Sequence, residues 1–363
     1  MRVTEVPIPL FPGDDPMGQF EALEELNRAR YEAGLSNSST LRTGREISAS
    51  YSRRVIFTRH YYLLTDPAES NFDAPIAMIA PGSPAKILGY GYVRLAQQHK
   101  ERGEAWCDVV VHPESWGKGY GSFLLDEVTR AARAKGARQL TCRAYAPLES
   151  RLPTVSEFAE YPVPRFLIRK GFSLSNVFED YVWDVSDPQA LRERLEPFTE
   201  VPGYRLVSWE GLTPSELLPG MADIRRNYTM DEQQAAFEQS RTEYWTPESL
   251  AREDQYNVSG GAPSFTTAAL DQKGEIAGFT SLISHVDSPN RLLQSGTVVR
   301  MGARGKGLGM ALKAANILSV QRRHPMVRTV TVGIDPANIE LVAVNERLGY
   351  ERVGMQGEFS KRI

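Results

Sequence analysis

Val109-Val110-Val111-His112-Pro113-Glu114-Ser115-Trp116-Gly117-Lys118-Gly119-Tyr120-Gly121, leading into Ser122-Phe123-Leu124-Leu125, recurs in the second half of the chain. The counterpart is Thr297-Val298-Val299-Arg300-Met301-Gly302-Ala303-Arg304-Gly305-Lys306-Gly307-Leu308-Gly309, leading into Met310-Ala311-Leu312-Lys313. Gly121 and Gly309 lie 188 residues apart, and Val111/Val299, Gly117/Gly305, Gly119/Gly307 and Leu124/Leu312 are identical at the same offset. A second match follows in order: Arg169-Lys170-Gly171-Phe172 resembles Arg347-Leu348-Gly349-Tyr350 at an offset of 178. Loops between motifs change length more freely than the elements they join. Two ordered matches therefore point to an internal duplication.

The local patterns agree between the copies. Residues 105–111 are β-branched and apolar, a strand pattern, and the glycine-rich turn follows. Leu124, Leu125, Val128, Ala131 and Ala132 then make a helical stripe, with Gly136 placed as a C-terminal cap. Residues 139–144 predict the next strand. In the second copy, Leu308, Ala311, Leu312, Ala315 and Leu318 share one helical face, and Pro325 ends that helix. Residues 328–334 alternate as a strand, and 338–348 are helical. Upstream, 265–270 and 276–283 form a hairpin around Asp271-Gln272-Lys273-Gly274. Each copy is thus α+β, a mostly antiparallel sheet with flanking helices. Asp187-Pro188 and the stretch 196–203, rich in proline and acids, punctuate the chain. Domains are expected at 1–186 and 203–363.

The 363-residue length exceeds what one core commonly spans, in keeping with two domains. A net charge of −3 gives no broad basic surface for nucleic acid. Two cysteines, Cys107 and Cys142, both in strand patterns, read as small buried apolar residues, not as a disulfide framework or metal site. No apolar run approaches the length of a membrane span. The first thirteen residues lack the basic start and apolar core of a signal peptide. The expectation is a soluble, cytoplasmic protein that binds no metal, nucleic acid or membrane.

A strand, a tight glycine turn and a helix start together make an anion site. Glycine permits left-handed backbone, and the unpaired amides of the first helical turn point at the ligand. The GxGxG spacing fits neither a P-loop, which needs GxxxxGK followed by Ser or Thr, nor a dinucleotide fingerprint, which needs GxGxxG within a parallel sheet. A coenzyme A pyrophosphate turn remains.

Arg304-Gly305-Lys306-Gly307-Leu308-Gly309 resembles the Q/R-x-x-G-x-G/A signature of the GNAT superfamily of N-acyltransferases. Asn338 followed by Val344-Asn345-Glu346-Arg347-Leu348-Gly349-Tyr350 is similar to that family's N-x-x-A-x-x-L-Y-x-x-x-G-F segment. The tandem layout resembles actinobacterial double-GNAT proteins. The resemblance implies a splayed pair of central strands holding acetyl-coenzyme A as co-substrate. Backbone groups of Val298, Val299 and Arg300 would meet the pantetheine. Arg304, Gly305, Lys306, Gly307, Leu308, Gly309 and Met310 would hold the pyrophosphate, and Asn338 the cofactor arm. A second cofactor site is expected at Val109, Val110, Val111, Gly117, Lys118, Gly119, Tyr120, Gly121 and Ser122. There Trp116 replaces the signature Gln or Arg, which makes the first copy the degenerate one and the second the catalytic one.

Many family members carry a tyrosine acid four residues before the Gly-aromatic pair. Here those positions hold Asn345 and Leu167. Asn345 can hydrogen-bond a sulfur but cannot act as an acid. His285 is a candidate base, Glu104 and Asp108 flank the strand of the first copy, and Gln294 and Thr297 are candidate substrate contacts. The resemblance implies direct acyl transfer, acetyl being the expected group, to a primary amine of a small molecule. A coenzyme A-binding regulator or scaffold without catalysis is the alternative. Neither the acceptor nor the oligomeric state is encoded in any recognisable motif.

Overall fold

The β-branched runs and glycine stops of the sequence become strands and turns in both halves of the computed structural model. It describes residues 2–11, 13–15, 18–36, 41–52, 57–66, 87–96, 103–147, 153–228, 245–259, 261–285 and 288–363. The chain forms two units, Met1–Asp180 together with Val353–Ile363, and Tyr181–Arg352.

The first unit runs β1 (Arg2–Glu5), α1 (Gln19–Glu32), α2 (Gly44–Ser52), β2 (Phe57–Thr65), β3 (Ile87–Ala96), β4 (Glu104–Val111), α3 (Tyr120–Ala134), β5 (Gln139–Pro147), α4 (Val155–Ala159), α5 (Pro162–Arg169) and the start of β6 (Ser173–Asp184). Strands β1 to β4 pair antiparallel in order. β4 and β5 are parallel, but only Glu104–Trp106 pair with Gln139–Thr141. Leu125, Val128, Leu140, Leu167 and Phe172 fill the core that holds α3 and α5 against the sheet.

The second unit follows with α6 (Pro188–Leu195), β7 (Arg205–Glu210), α7 (Leu218–Tyr228), α8 (Pro247–Ser259), β8 (Ser264–Leu270), β9 (Ile276–His285), β10 (Ser288–Val299), α9 (Leu308–Arg323), β11 (Thr329–Ile334), α10 (Ile339–Leu348) and the start of β12 (Tyr350–Arg362). Strands β7 to β10 are antiparallel. β10 and β11 are parallel over Arg291–Leu293 against Thr329–Thr331 alone. Met310, Ala314, Ile317, Val330 and Leu348 form much of the core under α9.

The stretch expected to join two domains folds as part of the second unit. Asp187 caps α6, its carboxylate accepting from the amides of Gln189 and Ala190 at 3.0 Å. Pro188 then occupies the first helical position, where its missing N–H costs nothing. The Asp-Pro pair is a helix start, and Glu196–Phe198 continues as a 3₁₀ turn. The end of the chain, Gly354–Arg362 of β12, pairs antiparallel with β5 and so belongs to the first unit. Among the described residues no helix is long and apolar enough to cross a membrane.

Candidate active site

Each unit contains a parallel strand pair that parts after three residues. β4 leaves β5 beyond Trp106 and Thr141, and β10 leaves β11 beyond Leu293 and Thr331. The gap between the strands opens toward their C-terminal ends, where the glycine turns sit. In β10 a register shift between Gln294 and Gly296 inserts one extra residue at the start of the gap. The Arg300 N–H bonds the Ala277 carbonyl at 2.8 Å. Because backbone groups alternate along a strand, Val299 and Thr297 present theirs to the gap.

The two glycine turns have nearly the same backbone. Gly117 and Gly305 both have φ of 75°. Gly119 has φ 82°, ψ −2° and Gly307 has φ 80°, ψ 2°, each as the N-cap of its helix. An L-residue rarely adopts this region, so glycine is required at these positions. Neither cap carries a side-chain hydrogen bond to the first-turn amides. A Cβ added at Gly117, Gly119, Gly305, Gly307 or Gly309 would meet nothing within 4 Å. The turns therefore leave open room over unpaired N–H groups at the positive end of a helix, a fit to a pyrophosphate.

Trp116, the residue that marked the first copy as degenerate, does what its counterpart does. The Trp116 indole N–H donates to the Val111 carbonyl at 2.8 Å. The Arg304 Nε donates to the Val299 carbonyl at 3.2 Å. Both side chains pin the turn to the end of its strand. Lys306 reaches the Tyr204 hydroxyl at 3.2 Å, and Arg300 donates to the Ile276 carbonyl at 2.7 Å and pairs with Asp223. Leu308 and Met310 are buried under the turn. Asn338 caps α10, its side-chain oxygen accepting from the Leu341 amide at 3.1 Å.

The start of the second gap holds a buried polar cluster. Gln294 donates through Nε2 to the Thr280 hydroxyl at 3.1 Å and the Ser281 carbonyl at 2.8 Å. The Thr280 and Thr297 hydroxyls are 2.7 Å apart. Lys313, from α9, donates to the Asn345 Oδ1 at 2.7 Å and to the Gln294 Oε1 at 3.4 Å. Its Nζ lies 5.1 Å from the centroid of the Tyr350 ring, whose hydroxyl donates to the same Gln294 oxygen at 3.4 Å. Burial alone lowers the Lys313 pKa to about 7, and burial pushes the Tyr350 phenol up. The Asn345 Nδ2 is buried with no hydrogen-bond partner among the described residues.

Gln294, Thr297 and Asn345, singled out in the sequence, are thus brought together. Lys313 and Thr280 were missed. Lys313 lies in the second turn of the helix that follows the glycine turn, at the place where the first copy has Leu125, and that difference between the copies was the available signal. His285 ends β9, and its side chain lies outside the described residues. Asp108 is held by Arg30 at 2.6 Å, and Glu104 is exposed. The Cys107 and Cys142 thiols are free, buried and 2.9 Å apart, the first residues past the last parallel pair of the first unit.

The acetyltransferase (GNAT) family profile matches residues 47–148, the interval that holds the first splay and its glycine turn. The chain carries a GNAT acetyltransferase domain. Mycothiol acetyltransferase of Saccharomonospora viridis is 25% identical over 314 residues, 81% of this chain and 87% of that relative. The protein of the same name from Mycobacterium avium is 26% identical over 72% of this chain and 74% of its own length. Among solved structures, a tandem GNAT protein from the clavulanic acid biosynthesis pathway superposes with a TM-score of 0.72 at 22% identity, covering 99% of this chain and 98% of that one. A GCN5-related N-acetyltransferase from Sphaerobacter thermophilus gives 0.61 at 15% identity over 99% and 95%. The fold is the tandem GNAT fold. Both units keep the splay and the turn, while the second carries the polar cluster just described.

Proposed function

We propose that the protein transfers acetyl from acetyl-coenzyme A to a primary amine of a small molecule, by direct attack in a ternary complex. The observation that carries this reading is the pair of open glycine turns, each at the mouth of a splayed strand pair. Transfer is assigned to the second unit, whose gap begins at polar residues. The first unit keeps the turn geometry and is read as a second coenzyme A site without transfer.

In the second unit the amides that follow Gly305 hold the pyrophosphate, and the helix dipole of α9 favours its charge. Val299 and Thr297 offer backbone groups to the pantetheine. A ligand anchored at the turn and running back along β10 from Arg300 covers six residues, about 20 Å, and ends beside Gln294. The thioester carbonyl there meets N–H donors, among them the unpaired Asn345 Nδ2. Donors already in place stabilise the oxyanion as it forms.

The attacking amine must be neutral, and with a pKa of about 10 only about one part in a thousand is neutral at pH 7. Holding it against the thioester supplies much of the acceleration. The mycothiol acetyltransferases among the relatives make a mycothiol-related amine the first acceptor to try.

Calorimetric titration of acetyl-coenzyme A into the wild type, Gly119→Glu and Gly307→Glu tests the reading. Two sites per chain are expected, one lost in each variant, with amine-dependent thiol release abolished by Gly307→Glu. Thiol release that survives Gly307→Glu would place transfer elsewhere. Absence of any binding would remove the basis of the proposal.

A further inference from the structure

The duplication supplies an internal control for the buried cluster of the second unit. Lys313 corresponds to Leu125, at the offset shared by the glycine turns, and Asn345 and Tyr350 correspond to Leu167 and Phe172. Gln294 and Cys107 are each the first residue after the last parallel pair. Cys107, Leu125, Leu167 and Phe172 are all buried in one apolar core. The fold accepts apolar side chains at these four places. Its second copy instead buries an amine, two amides and a phenol, an arrangement that usually costs stability against well-packed apolar groups.

Lys313 is 2% exposed. Among the described residues its polar and ring contacts are with Gln294 from β10, Asn345 from α10 and Tyr350 from β12. Among the described residues the Tyr350 phenol is the one titratable group in contact with it, and no carboxylate among them contributes to the environment of the amine. A structural lysine would be expected to have an acid to pair with. This one has neutral acceptors, and beside it an unpaired amide donor. The cluster lies where a ligand anchored at the Gly305–Gly309 turn and laid along β10 would end.

We infer that Lys313 is the proton-transfer residue of the second unit, delivering a proton to the sulfur that leaves the acetyl group. This rests on the assignment of transfer to that unit. The amine nitrogen bonds the thioester carbonyl carbon, the C–S bond breaks, and its electron pair leaves on sulfur. The Lys313 ammonium protonates that thiolate. It regains a proton from the one the nitrogen sheds on becoming an amide, so the cycle closes without net proton change. Asn345 and Gln294 fix the amine through their oxygens.

The test uses the full chain carrying Gly119→Glu, so that coenzyme A binds at the second turn alone, with and without Lys313→Leu. Leucine is the residue the first copy already packs at this place. Coenzyme A is the probe, its thiolate followed by ultraviolet absorbance as the pH is raised. With Lys313 present, the bound thiol is expected to ionise about threefold more readily than the free one, because the amine, neutral where a thiol ionises, donates a hydrogen bond to the thiolate. Lys313→Leu is expected to abolish that difference, with calorimetric affinity within about threefold, less than 1 kcal/mol, and no fall in melting temperature. A bound thiol that titrates alike with either residue, binding intact, overturns this inference and leaves the assignment of the site standing. No binding at the second turn overturns both.

Discussion

Replacing Lys313 by methionine, which keeps the length of the side chain and removes its charge, should change how stability depends on pH. Lysine ionises near 10.5 in the unfolded chain and near 7 in the folded one. Between these values the unfolded state holds the proton and the folded state does not. Wild-type stability from this group is therefore full above about pH 10.5 and is lost as pH falls toward 7. The whole difference corresponds to roughly 5 kcal/mol. The slope approaches 1.4 kcal/mol per pH unit in the middle of the window. The methionine variant has no such dependence. It also strips a donor from the Asn345 and Gln294 oxygens, at about 1–3 kcal/mol, but that loss is independent of pH. The informative quantity is the difference in unfolding free energy between the two proteins, measured by urea denaturation at matched pH. Groups that titrate alike in both cancel. From about pH 7 to about pH 9 the wild type should gain roughly 2–3 kcal/mol on the variant. A difference constant across that range would refute the argument, because it would mean that Lys313 is solvated or paired with an acid when folded.

Two further outcomes follow from the geometry. Trp116→Ala removes the bond that ties the first turn to the Val111 carbonyl and should weaken acetyl-coenzyme A at that turn by about 1 kcal/mol, roughly fivefold. Trp116→Arg should restore it, since Arg304 makes the equivalent bond in the second turn; calorimetry in a Gly307→Glu background reads both, and an arginine variant weaker than the alanine one would count against equivalence. The Cys107 and Cys142 pair should resist alkylation while the protein is folded and react fully in urea. A hydrogen bond with Cys107 and burial hold the Cys142 thiol well above its usual range, and thiolate is the reactive form; rapid labelling of the native protein, read by mass spectrometry, would contradict that burial.

The parts of the fold that sequence disclosed are those governed by neighbours in the chain. The hairpin turn at Asp271 closes because its carboxylate accepts from the amides of Lys273 and Glu275, both at 2.9 Å, a bond pattern set within five residues. Gly136 and Gly349 end helices in the left-handed region for the same local reason. What long-range pairing decides was hidden. Nothing near Gly354–Arg362 says that this segment adds to β5, more than 200 residues earlier. Asp187-Pro188 carries two meanings, break and helix start, and the structure takes the second. The site was half legible. Glycine spacing located the turns, because the spacing follows from backbone conformation. In α9 the polar residues Lys313, Asn316 and Ser319 recur every third residue, a period that reads as a solvent face. All three are buried, because the helix is covered on several sides.

The duplication explains why that polar stripe carries information. In an unrepeated domain a buried lysine can be dismissed as a packing accident, since no reference shows what the position tolerates. Here the reference is the same fold within the same chain. The turns share their glycine dihedrals, φ 75° at Gly117 and Gly305 and 82° and 80° at Gly119 and Gly307, and Trp116 and Arg304 make the same bond by different chemistry. The positions proposed to hold a ligand at the turn have therefore kept their geometry under substitution. The positions at the start of the gap have diverged in chemistry: Cys107, Leu125, Leu167 and Phe172 against Gln294, Lys313, Asn345 and Tyr350. Binding a nucleotide thioester needs only the turn and the strand edge, whereas moving its acetyl group also needs a proton delivered to sulfur. Two copies that share the first requirement and differ in the second are what a division between holding and transfer would leave. Grafting Lys313 and Asn345 onto Leu125 and Leu167 should not by itself create a second transfer site, since Cys107 offers no amide to fix the new amine. If the Leu125→Lys, Leu167→Asn variant released thiol at the first turn with Gly307→Glu in place, Gln294 would have no positioning role, and the cluster would reduce to a lysine and its asparagine.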